Sequence, residues 1–400
     1  MNKRALVLTA CFCTIFTSYA SRYGYGILLP EMLSPLAITK TEAGVIYASF
    51  FIAYTVFSPL LGLLGDRYDS RLIITSFVAV LGVGTFLMAY SSSIKQASLF
   101  FALAGIGSAA CWAPVMAVAQ RWTSDKHRGK TLSFIDIGSS LGIVGTSTAI
   151  PSIVVAHGWQ AGWMSLGVLG FAVAAMDFFM VRNPAGEQSA PRLSEPARYA
   201  GEPFSVTYAK LFRDTKFWLI GLAYLLTGFS IIIPFTFLST YAVQELSFSY
   251  EAATRLITVI GIGAVVGKLT LGPLSDKVGR IKVLLLCAAL VAAGTLGMAF
   301  GQRVILIVFT AIFSIGYGAL WALYAALASD YFSREYAGSI VGLWTVFLGI
   351  GSMISPVIAG WVADTRGTLA WSFVLAAAGA IISLLLLVAV WRMKIKPLEI

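Results

Sequence analysis

The sequence has few charged residues: only 12% of its 400 residues are Asp, Glu, Lys or Arg, whereas 58% are hydrophobic. Soluble domains carry about 25% charged residues because their surfaces face water. This low share excludes an ordinary soluble protein and predicts that much of the surface faces lipid. The formal net charge of +10 does not indicate nucleic-acid binding, because the basic residues form short clusters between apolar runs rather than one stripe.

Cysteine and histidine are also scarce, and their spacing matches no metal-binding pattern. The four cysteines, Cys11, Cys13, Cys111 and Cys287, all lie in apolar segments, where a thiol is expected to be buried and inert. No GxxxxGK[ST] phosphate loop is present, and no nucleophile is paired with a base inside an apolar run. The sequence therefore predicts no cofactor, no metal and no enzymatic activity.

Long apolar runs dominate the chain, and a helix needs about 20 apolar residues to cross a bilayer. Backbone groups in lipid must be satisfied within their own segment, which favours helices. The fold class predicted is an all-α membrane protein with twelve transmembrane helices in two six-helix halves. The predicted spans are 5–30, 43–64, 72–91, 96–120, 131–155, 160–181, 216–243, 252–275, 281–301, 303–330, 336–363 and 370–392.

A polar segment between the sixth and seventh spans defines the predicted domains. Residues 1–181 form the N-terminal half, 182–215 a cytoplasmic linker rich in Pro, Glu, Arg and Ser, and 216–400 the C-terminal half. The first apolar run continues to Pro30, so we interpret it as an uncleaved span rather than a signal peptide. Most basic residues fall on one side if both termini are cytoplasmic, which predicts a multi-pass protein of the cell inner membrane with that orientation.

A short motif occurs twice, at the end of the second span of each half. Residues 62–71 read GLLGDRYDSR and residues 272–280 read GPLSDKVGR. The repeat places Asp276 210 positions after Asp66 (276 − 66 = 210). Internal repeats of this kind are typical of transporters built from two related halves.

These two segments resemble the signature loop of the major facilitator superfamily, Gly-x-x-x-Asp-Arg/Lys-x-Gly-Arg. The resemblance covers the whole chain and implies alternating access, in which two halves rock around a central site, usually in a monomer. The first copy departs from the pattern because Asp69 stands where the family has Gly. By this resemblance the conformational latch residues are Gly62, Asp66, Arg67, Arg71, Gly272, Asp276, Lys277 and Arg280.

The stretch 234–276 resembles the seventh and eighth spans of the monocarboxylate and oxalate/formate branch. In that branch an Arg of span eight binds the substrate carboxylate, and Lys268 stands at its position here. The branch has an acidic residue four positions earlier, where this chain has Ala264, so proton coupling stays open. Drug antiporters of the superfamily often carry an Arg near the start of span four, and Phe101 stands at that place here. This difference weakens the interpretation of the chain as a proton–drug antiporter.

Two basic residues, Arg22 and Lys268, fall inside predicted spans. A charge near the bilayer centre costs at least about 2.5–3.5 kcal/mol, so each needs a compensating role. We predict that both bind an anionic substrate between the halves. Each residue has alternatives that stay open: Arg22 snorkels or pairs with Glu31 or a backbone carbonyl, and Lys268 reaches the cytoplasmic interface or pairs with Asp276.

Aromatic residues and one carboxyl complete the candidate site. Tyr25, Trp112, Tyr317 and Trp321 are predicted substrate contacts, because Tyr and Trp offer an apolar face with one polar tip. Asp136 is a candidate proton carrier, with a structural ion pair to a cytoplasmic basic residue as the alternative.

These features predict a secondary active transporter of a small organic anion, in particular a monocarboxylate, with proton symport as an open question. Its partners would be the anion, protons and the lipid bilayer, with no nucleic acid. An efflux transporter of apolar or cationic compounds is the alternative, although two cations inside the spans would repel cationic cargo. A non-transporting membrane sensor is the alternative from another class.

Overall fold

The structure is a computed structural model that describes residues 3–65, 68–124, 127–183, 211–332 and 337–393. Over these residues the chain is built from helices and contains no strand. The helices are α1 Lys3–Met32, α2 Lys40–Gly65, α3 Ser70–Leu87, α4 Ile94–Ser108, α5 Ala113–Arg121, α6 Arg128–Met180, α7 Thr215–Gln244, α8 Tyr250–Val278, α9 Arg280–Phe300, α10 Arg303–Tyr331, α11 Ala337–Arg366 and α12 Ala370–Arg392.

Eleven stretches among the described residues are long and apolar enough to cross a membrane. One of them, Gly129–Met180, has 52 residues, about twice the length that one crossing needs. Gly158 interrupts it with a non-helical backbone, φ 83° and ψ 168°. Counting α6 as two crossings gives twelve, with the break between the predicted spans 131–155 and 160–181. The predicted helical fold is confirmed.

The fourth crossing consists of α4 and α5, which a short turn separates. Residues Ala109–Cys111 form a single 3₁₀ turn, and Trp112 follows with φ −115° and ψ −76°. Pro114 then stands in the first turn of α5, where a missing backbone N–H is tolerated. This break lies between Ser108 and Pro114 and includes the predicted substrate contact Trp112.

Local sequence signals explain several helix ends. The amide of Thr39 donates to Glu42 Oε2 at 2.8 Å, and the amide of Glu42 donates to Thr39 Oγ1 at 3.2 Å. This reciprocal pair is a capping box, which satisfies two amides at the start of α2 that have no helical partner. In the same way, Ser93 Oγ accepts from the amide of Gln96 at the start of α4.

The described chain belongs to two compact units, which we call the first and second unit. The first unit comprises residues 1–195 and 238–261, and the second comprises 196–237 and 262–400. The predicted boundaries of the two halves stay a prediction, and most of the predicted linker, residues 184–210, lies outside the described residues.

Polar contacts attach residues 238–261 to the rest of the first unit. Lys40 Nζ lies 3.6 Å from Glu245 Oε1. The Tyr250 hydroxyl donates to the Ile27 carbonyl at 3.0 Å. These contacts link α2 and α1 to the end of α7 and the start of α8.

Candidate functional site

Arg22 lies on α1, and its side chain is almost completely buried, with 7% of the residue exposed. Four aromatic rings surround the guanidinium carbon, at centroid distances of 4.6 Å for Tyr54, 5.1 Å for Tyr19, 5.2 Å for Phe50 and 5.5 Å for Phe51. A cation over an aromatic face within about 6 Å gains roughly 0.5–2 kcal/mol. The predicted in-span cation is therefore held in an aromatic surround.

The polar contacts of Arg22 are fewer than its donors. Nη2 donates to Ser108 Oγ at 3.2 Å, and Ser108 Oγ lies 2.7 Å from Ser18 Oγ. The buried Nε has no hydrogen-bond partner. In the part of the chain that the structure describes, no carboxylate forms an ion pair with Arg22, and the proposed partner Glu31 is exposed.

A buried guanidinium without a counter-ion is costly, since its charge and its donors both lose water. Aromatic faces attract the charge, but a ring accepts no strong hydrogen bond in the plane of the guanidinium. Nε is therefore a buried donor for which the described residues supply no acceptor. Tyr19 and Tyr54 are only half-buried, so part of the aromatic surround is accessible.

A glycine on α4 allows this cluster to form. At Gly105, a Cβ atom would collide with the backbone carbonyl of Phe50, so only glycine lets α4 approach α2 this closely. Ser108 follows Gly105 by three residues and therefore lies on the same helix face. The close contact brings both Phe50 and Ser108 to the same guanidinium.

Two predicted contacts, Tyr25 and Trp112, also lie in the first unit. Tyr25 is completely buried, and its hydroxyl donates to the Ala43 carbonyl at 2.8 Å. It lies three residues from Arg22 as predicted, but its ring stacks on Phe101 at 5.1 Å. Trp112 is half-buried, with its ring 6.3 Å from that of Tyr19. The structure thus brings Trp112 to the edge of the aromatic surround.

The predicted contacts of the second unit lie on α8 and α10. Lys268 is half-buried on α8. On α10, the rings of Tyr317 and Trp321 are 6.2 Å apart, and Tyr317 packs against Phe235 at 5.0 Å. Trp321 is half-buried and packs edge-on against Tyr224 at 6.0 Å. Within this unit the two predicted aromatics on α10 are neighbours.

The first copy of the latch motif is only partly described. Gly62 lies in the last turn of α2, while Asp66 and Arg67 lie outside the described residues. The guanidinium carbon of Arg71 lies 4.0 Å from the centroid of the Phe178 ring on α6. Asp69 accepts a hydrogen bond from the Arg71 amide and so caps α3.

In the second copy, Arg280 Nη1 lies 2.6 Å from Asp330 Oδ1, which joins the start of α9 to the end of α10. Gly272, Asp276 and Lys277 are on the exposed or half-buried part of α8. Gly279 has φ +105°, a conformation that favours glycine.

The departure at Asp69 has a backbone explanation. Asp69 is the counterpart of Gly279 in the repeat (279 − 69 = 210). Its φ is −59°, an ordinary value for a residue with a side chain. The two copies therefore turn differently, and the first copy uses a side-chain cap where the second uses glycine.

Two acidic residues of α6 have different surroundings. The predicted proton carrier Asp136 is half-buried. Asp177, which the sequence analysis did not select, is completely buried. It lies one turn before the end of α6, where sequence alone indicates an interfacial position. The one sequence feature that could have indicated its burial is its place in the apolar run AAMDFFM.

Comparison with known proteins identifies the family. The sequence profile of the Major Facilitator Superfamily matches residues 11–267 and 220–399. The chain belongs to the Major Facilitator Superfamily. This membership makes it a multi-pass membrane transporter of small solutes and not an enzyme.

Individual superfamily members differ in the solute they carry. A hexuronate transporter of Bacillus subtilis (strain 168) is 25% identical over 92% of this chain and 90% of its own length. Monocarboxylate transporter 12-B of Danio rerio is 22% identical over 96% of this chain and 86% of its own. Among solved structures, that of the nucleoside transporter NupG has a TM-score of 0.77 at 14% identity, covering 98% of this chain and 100% of that one. The structural likeness shows the fold alone.

Proposed function

We propose that this transporter carries a small organic anion, a monocarboxylate, and that Arg22 binds the carboxylate. The observation that carries the proposal is the buried guanidinium, whose Nε has no hydrogen-bond partner and which has no carboxylate counter-ion among the described residues. A carboxylate fits such a group well, since arginine offers two parallel donors to its two oxygens.

The surroundings of Arg22 support a small anion with an apolar body. Phe50, Phe51, Tyr19 and Tyr54 present ring surface to the guanidinium, and such surface also packs against the hydrocarbon part of a ligand. The names of two relatives, a hexuronate transporter and a monocarboxylate transporter, point to the same class, because both names denote carboxylates.

The remaining parts of the prediction belong to this proposal. Lys268 is proposed as a second cationic ligand, with Tyr25, Trp112, Tyr317 and Trp321 as aromatic contacts. The other proposed properties are transport by alternating access, a cell inner membrane location with both termini in the cytoplasm, and function as a monomer.

Uptake by reconstituted protein tests the proposal. Proteoliposomes are prepared with wild type, R22Q, R22K or R255Q, and uptake of labelled lactate is measured with and without an inward proton gradient. Arg255 is exposed on α8, so R255Q is a matched control that removes the same charge elsewhere. We expect uptake by wild type and R255Q, none by R22Q, and weakened uptake by R22K, which lacks the planar fork.

Two results would count against the proposal. Correctly folded wild-type protein that takes up no lactate would overturn the monocarboxylate assignment and direct the search to other solutes. Undiminished uptake by R22Q would show that Arg22 does not bind the substrate.

A further inference from the structure

Asp177 is a carboxyl with no contact to water and with an incomplete set of hydrogen bonds. It is 0% exposed. Its Oδ2 lies 2.8 Å from Thr14 Oγ1 on α1, and its Oδ1 has no hydrogen-bond partner. Within the described residues, no Lys or Arg forms an ion pair with it. A buried carboxylate without a cation is strongly disfavoured.

The hydrogen bonds of Thr14 indicate where a proton lies. Thr14 Oγ1 is 2.9 Å from the Ala10 carbonyl oxygen and 2.8 Å from Asp177 Oδ2. A carbonyl oxygen can only accept, and a hydroxyl has a single hydrogen to donate. If Asp177 were ionised, one of the two short contacts would lack a hydrogen. If Asp177 is protonated, its O–H donates to Thr14 and Thr14 donates to Ala10, so both contacts are hydrogen bonds.

The titratable groups facing Asp177 do not change this conclusion. Cys11 and Cys13 on α1, and Cys111 in the turn after α4, are close enough to interact with it electrostatically. All three are neutral as thiols, and none supplies the positive charge that a carboxylate needs. Cys11 and Cys111 are buried.

A polar stripe on α1 connects Asp177 with the proposed anion site. Thr14, Ser18 and Arg22 are spaced by four residues and therefore share one helix face. Ser18 and Arg22 both contact the Ser108 hydroxyl. Eight residues of helix separate Thr14 from Arg22, about 12 Å at 1.5 Å per residue.

We propose that Asp177 is a proton-binding site of this transporter, occupied in the described conformation, and that the proton at Asp177 and the anion at Arg22 each favour binding of the other. The linkage rests on the function proposed above. An unneutralised Arg22 favours ionised Asp177, because opposite charges attract across the buried interior. An anion at Arg22 cancels that effect and favours the proton, and by linkage the proton equally favours the anion.

Infrared spectroscopy tests the proton site without any ligand. At neutral pH the wild type should show the C=O stretch of a protonated carboxyl, with the isotope shift expected in D₂O. D177N should lose this band and E251Q, a control that removes an exposed carboxyl of α8, should keep it. T14V is a second variant that should shift the band by removing its hydrogen-bond partner. A spectrum in which D177N removes no carboxyl band would overturn the proposal.

Proton uptake on ligand binding tests the linkage. Lactate is added to purified protein in weakly buffered solution with a pH-sensitive dye, at an alkaline pH where the Asp177 carboxyl band has disappeared. Wild type and E251Q should take up protons as they bind, and their Kd should rise about tenfold per pH unit once the site empties. D177N should bind without proton uptake. Binding by D177N with undiminished uptake would overturn the linkage.

The two experiments separate the two proposals. A carboxyl band that depends on Asp177, together with no lactate binding by wild type, would refute the proposed substrate and its linkage but leave the proton site. Lactate binding that needs Arg22, with no Asp177 band, would refute the proton site and leave the proposed function.

Discussion

Ser108 on α4 accepts a hydrogen bond from Arg22 on α1, with 3.2 Å between Oγ and Nη2, and the same hydroxyl lies 2.7 Å from Ser18 Oγ. The Ser108 hydroxyl thus connects the Arg22 guanidinium of α1 to α4. The hydrogen bond from Nη2 to Ser108 orients the guanidinium. Nε has no hydrogen-bond partner, so this donor is still available to a ligand.

The ring of Tyr54 should matter for substrate affinity more than its hydroxyl does. Its centroid is 4.6 Å from the Arg22 guanidinium carbon. We expect Y54F to bind lactate like wild type, because the aromatic face is kept. Y54A should weaken binding by about 0.5–2 kcal/mol, roughly 2- to 30-fold in Kd. Isothermal calorimetry on purified protein measures the difference, and equal affinities for Y54A and wild type would contradict the expectation.

Gly105 should tolerate no side chain. A methyl group there would meet the Phe50 backbone carbonyl, and backbone cannot move aside cheaply. We expect G105A to lower stability by about 1–3 kcal/mol, seen as a lower Tm in detergent, and to weaken lactate binding. G342A on α11 is the matched control, because no atom lies within 4 Å of a Cβ at that position. A Tm for G105A equal to that of G342A would argue against the close helix contact.

The ion pair between Arg280 and Asp330 should contribute little to stability. Both side chains are about a third exposed, at 35% and 36%, so water and salt screen the pair. A double-alanine cycle on Tm should give a coupling of about 1 kcal/mol or less, decreasing at high salt. If the pair is part of a latch, R280D should reduce uptake and R280D/D330R should restore it. Failure of the double variant to recover would exclude the pair from the transport cycle.

Ser147 on α6 and Thr258 on α8 are close enough for a cross-link. Their hydroxyl oxygens are 2.8 Å apart. In a background without the four native cysteines, S147C/T258C should form a disulfide on mild oxidation. If these helices separate during alternating access, oxidation should stop lactate uptake and reduction should restore it. S152C/T258C is the control, since Ser152 is exposed five residues further along α6. An oxidised S147C/T258C protein with full uptake would show that this contact persists throughout the cycle.

The sequence by itself determined the helical membrane fold and the candidate cation of the first unit. Hydropathy over about 20 residues is a local property, so the crossings could be identified without the fold. Arg22 was identified for the same reason, because a charge inside an apolar run stands out. The signature repeat around Asp276 and Arg280 was equally local, and it indicated the superfamily that the sequence profile then established.

Only the tertiary structure decided which side chains surround Arg22. Phe50, Tyr54 and Ser108 lie on α2 and α4, and no sequence spacing relates them to α1. Their convergence depends on the close contact between Gly105 and the Phe50 backbone. The sequence does not indicate that these two residues meet. Asp177 likewise required the fold: at a helix end it could face water, and packing against Thr14 is what buries it. The positions of charged residues can be read from the sequence, whereas their hydrogen-bond partners and burial depend on helices that come into contact only after folding.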